Sequence, residues 1–297
     1  MTLEGAFSNF VNHGADVLLV MRELRNIELQ IAVEAGLGQL NRSRQMRILA
    51  LDALVPVTSA SSGVRSFAIG DLTAELARTR SEFEVHLRTD LDGQIQGFED
   101  RFMRPFGLAL DPPDVSHETV DALLGAVAEG EHGLTLVPFG ATRNTQPLVL
   151  TGPCGLRSDA RFLTMKTKDY PLTFPMFIYL PQRRQHRQIV EFLDWLRSPP
   201  AQLVIRRAGF VDLAAVPILL SDQGDRLANA IVNAGSEIPL AELQRMIRLL
   251  SPRVRMSSTF RFDSGSTRLD VESRSNVMQL AQAIRDPRLG GRELMLV

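Results

Sequence analysis

Residues 48–57, Ile-Leu-Ala-Leu-Asp-Ala-Leu-Val-Pro-Val, form an apolar run longer than an average strand. Residues 15–21, Ala-Asp-Val-Leu-Leu-Val-Met, form a second near-continuous run. Runs of this kind mark strands covered on both faces, which points to a layered α/β architecture. The remainder of the first 213 residues alternates accordingly. Residues 1–3 read as the tail of a strand, and Phe7 and Phe10 as the face of a short helix. Leu24, Ile27 and Ile31 share one side of a second helix, and a third spans 69–77, starting near Asp71. Ser116 is placed to cap a helix carrying Val120, Leu123 and Val127. Strands are predicted at 134–139, 148–150 and 174–180. Two closing helices follow, one with Leu193 and Leu196, the other opening at Ser198-Pro199-Pro200 and ending at Gly209.

Residues 86–99 read as a strand end, a polar turn and a helix start. Phe83, Val85 and Leu87 alternate as in a half-buried strand, and Ile95, Phe98 and Phe102 recur at helical spacing. Asp90, Asp92 and Gly93 suit the turn between them. The free N–H groups of such a helix start, with Arg88 at the strand end and Arg22 after the first run, can form an anion site. Read alone, the stretch is equally one more strand-to-helix turn, and Arg22 an exposed strand end.

From residue 216 the character changes. Leu227, Ile231, Leu240, Leu243, Ile247 and Leu250 form helical stripes with no strand between them, so 214–252 reads as a helical linker. A strand at 258–262, a turn at 263–266, a helix at 271–285 and a strand at 293–297 would make a βαβ unit. A helix so close to Met1, and a last strand so close to Val297, read as a chain that begins inside one domain and ends inside another. Such a chain is expected to be unstable alone.

Lys and Arg number 33 against 34 Asp and Glu, so no net field draws the chain to nucleic acid or anionic lipid. No run reaches the roughly 18 apolar residues of a membrane span, and no signal-peptide pattern is visible. Cys154 is the one cysteine, which excludes an internal disulfide and a cysteine-based zinc site. Phosphate-loop, metalloprotease and nucleophile-elbow motifs are absent. The five histidines are scattered and read as solvated surface, as does the pair Glu99 and Asp100. No enzyme is predicted, and no cofactor or metal.

Several segments in order carry a resemblance. Gly14-Ala15-Asp16 with Arg22 and Glu28, the Ala-Leu-Asp-Ala core of 50–53, Leu136-Val137-Pro138-Phe139, Asp169-Tyr170-Pro171-Leu172 and Ser198-Pro199 with Gly209-Phe210 together resemble phosphate-type substrate-binding proteins of ABC transporters. The resemblance implies an incomplete two-lobed periplasmic-binding-protein type II fold over 1–213. Lobe one would be 1–57 and 175–213, lobe two 58–174, with crossings near Val55 and Tyr170. Thr259-Phe260-Arg261-Phe262, Gly265-Ser266, Leu269 and Leu280-Ala281 resemble the start of an OmpA-like peptidoglycan-associated domain over 253–297.

What the resemblance implies is non-catalytic binding of a small solute, phosphate or another oxyanion, with an ABC permease as partner. It implies the periplasm or outer-membrane-associated envelope. The alternative is a degenerate module that serves as an envelope scaffold, held to peptidoglycan through the OmpA-like part. The implied ligand residues are Arg22, Arg88, Asp92, Gly93 and Gln94. The family's Arg-x-x-Gly-Ser-Gly-Thr loop is altered here, with Leu91, Asp92 and Gln94 at three of its positions, and Val20 and Met21 replace polar residues before Arg22. A carboxylate about 4 Å from a phosphate oxygen costs about 4 kcal/mol at an effective dielectric of about 20. A cationic group reaching Asp92, or no ligand, is therefore a further expectation for this turn.

Overall fold

The computed structural model describes residues 2–89, 92–142, 145–152, 156–262, 265–285 and 295. Helix α1 (Leu3–Val11) leads into strand β1 (Leu18–Val20), helix α2 (Asn26–Glu34) and the long strand β2 (Met46–Thr58). Next come β3 (Ser66–Ala68), α3 (Ile69–Leu76), β4 (Glu84–Arg88), α4 (Asp92–Phe98), β5 (Val115–His117), α5 (Val120–Glu129), β6 (Gly133–Pro138), β7 (Val149–Thr151) and β8 (Arg157–Ser158). The chain returns through α6 (Phe162–Lys166) and β9 (Thr173–Tyr179) to α7 (Arg187–Trp195) and α8 (Pro199–Arg207). The last elements are β10 (Pro217–Ile218), α9 (Gly224–Val232), α10 (Leu240–Leu250), β11 (Arg255–Met256) and α11 (Val271–Ile284).

β2 is the spine. The principal sheet has the order β1-β9-β2-β6-β4-β5. Residues 46–53 of β2 pair antiparallel with β9, and residues 54–58 pair antiparallel with β6. One strand of 13 residues therefore serves two half-sheets, which explains the length of its apolar run. At the join, Leu54 N–H donates to the Leu172 carbonyl at 3.0 Å, and the Tyr170 hydroxyl donates to the Leu54 carbonyl at 3.2 Å. Burial raises the Tyr170 phenol above its ordinary value, so it stays a donor. Pro56 has no N–H to give a ladder, and its carbonyl accepts from Leu148 N–H at 2.9 Å. A single hydrophobic cluster runs through both halves, including Phe10 and Leu40 on one side and Leu72 and Leu136 on the other.

Several local expectations are corrected. Leu3 opens α1, capped by the Thr2 hydroxyl, rather than ending a strand. The run 15–21 yields only a three-residue edge strand, β1, which pairs with β9 alone and leaves Leu19 half exposed. In α2 the buried residue is Ala32, while Ile27 and Ile31 face outward. Thr119, not Ser116, caps α5, and Ser116 lies in β5, a strand that had no visible periodicity. His86 is buried on β4, within 2.9 Å of the His117 ring and 3.1 Å of Glu84. Residues 258–262 form no strand, only a bridge between Phe262 and Leu269, and the expected strand at 293–297 lies outside the described residues apart from Met295. α11 lies against β2.

Candidate functional site

The seam between the two half-sheets is where Arg22, Gly93 and Gln94 converge. α4 delivers the last two. It runs Asp92–Phe98 and continues as a wider turn over Glu99–Met103, then a tight turn over Arg104–Phe106. Ile95, Phe98 and Met103 are buried, which seats this stretch in the core. Its glycines bring the backbone close to the other half. A Cβ on Gly97 would stand 3.3 Å from Arg22 Cβ and 3.4 Å from the Phe174 ring. One on Gly93 would stand 3.5 Å from both Leu3 Cδ1 and Met21 Cβ. Leu3 and Met21 thus lie against the start of α4, and Arg22 and Phe174 against its end.

Arg22 is buried and spends its donors inside the protein. Its Nη1 and Nη2 donate to the two Glu28 carboxylate oxygens at 2.7 Å each. Nη1 also donates to the Glu23 carbonyl at 2.8 Å, and Nε to Gln96 Oε1 at 3.0 Å. Burial alone would raise Glu28. The hydrogen bonds from Arg22 and from Arg25 N–H outweigh it and hold the carboxyl below its ordinary range. Glu28 also stands third in α2, so the same carboxylate closes the helix start.

The second polar pair is Asp52 with Gln94. Asp52 sits on β2 two residues before Leu54, buried, and accepts hydrogen bonds from Ala53 N–H at 2.8 Å and Gln94 Nε2 at 2.9 Å. Burial raises its carboxyl, which these hydrogen bonds and one from the Phe139 N–H only partly oppose. Two further residue pairs meet at the seam. Arg25 grips Asp100 through Nε and Nη2 at 2.9 and 3.0 Å, and Arg101 Nη1 donates to the Thr173 carbonyl at 3.2 Å. Asp100 is accordingly an ion-pair member rather than a solvated surface carboxylate.

Arg88 ends β4, half-buried, in register with His117 of β5. Asp92 opens α4, but its side chain, like Asp90 and Leu91, lies outside the described residues, as does Cys154. Asp52, Glu28 and Gln96 are seam residues that no local motif singled out. Glu28 appeared only as a member of a family pattern. Among the described residues no cluster of three His, Cys, Asp or Glu side chains is set to hold a metal ion, and no helix is long and apolar enough to cross a membrane.

Two half-sheets sharing one long strand, with a return strand beside it, define the periplasmic-binding-protein fold, and solved structures bear this out. An ABC-type phosphate transport receptor from Vibrio cholerae is 16% identical with a TM-score of 0.57, over 70% of this chain and 84% of that one. PstS from Borrelia burgdorferi is 12% identical with a TM-score of 0.51, over 70% and 83%. At such identities the likeness establishes the mixed α/β fold. No family model and no curated protein matches the chain.

Proposed function

We propose that the protein is a non-catalytic binding module of the kind that serves ABC-type uptake or sensing in the cell envelope. Its cleft is closed on its own side chains, and an oxyanion such as phosphate enters only by displacing them. The fold shared with the Vibrio cholerae phosphate transport receptor supports the binding role and makes phosphate the first solute to test. The observation that carries the second half of the reading is the bidentate Arg22–Glu28 pair, a cation already neutralised where an anion would need it. On this reading Arg88, Gly93 and Gln94 face the solute, with Asp92 at the turn, while Arg22 holds the two halves together.

The energetics follow from the pair. Separating a buried ion pair costs about 3 kcal/mol, enough to weaken a micromolar site about a hundredfold. Calorimetric titration with inorganic phosphate tests this. The expected result is no saturable heat below about 100 µM phosphate, in line with that penalty. A micromolar, saturable heat that disappears in Arg88→Ala would instead make this an ordinary phosphate receptor. An ABC permease is the partner this role implies. Peptidoglycan anchoring rests on the resemblance of 253–297 alone and gains no support from α11, which lies against β2.

A further inference from the structure

One cavity lies away from the seam. It lies on the outer face of the first half-sheet, between the start of β2, the helices α7 and α8, and α11, with a volume of about 390 Å³. That is within the usual range for small-molecule sites. Among the described residues four arginines line it, Arg44, Arg47, Arg197 and Arg274, and no carboxylate does. Its floor is apolar, with Ile48 from β2, Leu193 from α7 and Met278 from α11.

The guanidinium groups here are only partly engaged. Arg274 Nη1 donates to the Leu269 carbonyl at 2.7 Å, but its Nε is buried and has no hydrogen-bond partner among the described residues. Arg197 meets one carboxylate, Asp194, at 3.7 Å, a long contact on an exposed side of α7. Arg47 is half-buried; burial and the neighbouring Arg197 both lower it, with Asp194 opposing. A buried donor with no acceptor costs free energy, and converging like charges cost more. Both costs fall when an anion occupies the cavity.

We propose that this cavity is a binding site for an amphipathic anion: a carboxylate or phosphate head held by Arg47, Arg197 and Arg274, with an aliphatic body on the Ile48, Leu193 and Met278 floor. The site is separate from the seam and does not depend on what the cleft binds. Its ligand is a free fatty-acid-like molecule or the head of an acidic lipid, which share this chemistry.

Calorimetry with sodium decanoate below its micellar concentration, on the full chain, tests it. One saturable site is expected, weakened at least tenfold in Arg47→Gln and in Arg274→Gln and unchanged in Arg187→Gln, whose side chain is exposed on α7. Circular dichroism checks that each variant is folded. Trp195, the one tryptophan, lies two residues from Arg197, so wild-type fluorescence gives a reading that needs no variant. Co-sedimentation with phosphatidylglycerol vesicles, lost in Arg47→Gln, assigns the ligand to lipid; decanoate binding without co-sedimentation assigns it to a free acid. No saturable heat or fluorescence change at millimolar decanoate overturns the proposal. So does binding that survives both arginine substitutions, or inorganic phosphate binding as tightly as decanoate.

Discussion

At the seam, Arg22 is held by Glu28 through two nitrogens at 2.7 Å, and Arg25 is held by Asp100. On the outer face, Arg44, Arg47, Arg197 and Arg274 line a cavity of about 390 Å³ with no carboxylate among its described lining residues. The same residue type is a structural fastener in one place and, on the proposal above, an anion receptor in the other. What separates them is the supply of counter-charge. α2 places Glu28 six residues after Arg22, whereas the cavity draws its cations from three distant segments, and the carboxylate they meet, Asp194, stays 3.7 Å from Arg197. If the seam binds as proposed, it is still not obliged to be the most anion-receptive surface of the molecule.

The contrast can be broken by substitutions on either side. The largest effect is expected for Glu28→Gln, which strands the buried Arg22 guanidinium. Loss of a partner from a buried pair costs about 3 kcal/mol, read as a lower urea midpoint. Millimolar phosphate should recover part of that loss in the variant and do little for the wild type. A variant as stable as wild type would show that Arg22 is not held as described.

Gly97→Leu comes next. Its side chain has to enter space already filled by Arg22 Cβ and the Phe174 ring, at a cost of about 2 kcal/mol for overpacking. α4 should be pushed off the seam, with faster amide exchange in α4 and β9. An unchanged exchange pattern would mean that the seam is loose.

Asp52→Asn is expected to stabilise the protein by about 1 kcal/mol at neutral pH, since a buried carboxylate with no counter-ion among the described residues is replaced by a neutral amide that Gln94 can still bond by turning its own. The folded state raises Asp52, so it binds a proton more tightly than the unfolded chain does. The penalty therefore grows as pH rises from the ordinary carboxylate value through the raised one. The advantage of the variant should shrink on acidification across that window. Glu28 and Asp212 run the other way. Burial would raise Asp212, but hydrogen bonds from Lys166 and Arg206 outweigh it, so the stability of both carboxylates is lost at lower pH, as it falls through their depressed values. A thermal-midpoint difference between wild type and Asp52→Asn that is flat with pH would contradict the assignment.

Arg47→Gln is expected to have the smallest effect on stability, within about 0.5 kcal/mol, because removing one of several like charges breaks no pair. A loss as large as that of Glu28→Gln would place Arg47 among the fasteners and erase the contrast.

The spine of the fold was legible because its cause is local. A run at 48–57 too long for one ordinary strand does span two half-sheets, and the helix at 69–77 and the strands near 134–139 and 174–180 followed from periodicity and turn chemistry. The edge strand β1 was over-read because an apolar run does not reveal that one side of the sheet ends there. His86 was under-read because a polar residue in a strand reads as surface until a neighbouring strand supplies His117. At the seam, Arg22, Gly93 and Gln94 could be picked out, but not their partners. Asp52 lies 42 residues from Gln94, and no spacing rule connects them. The outer cavity was invisible, since its arginines stand at 44, 47, 197 and 274 and meet only where the end of α7 and α11 come onto the start of β2.

The claim most in need of a direct test is that the seam is shut without a solute. Small-angle X-ray scattering of the protein, freed of phosphate by dialysis, measures this. The account predicts a scattering curve that matches the structure in which Arg22 is paired with Glu28 and does not change when millimolar phosphate is added. An expanded particle that contracts on adding phosphate would contradict it.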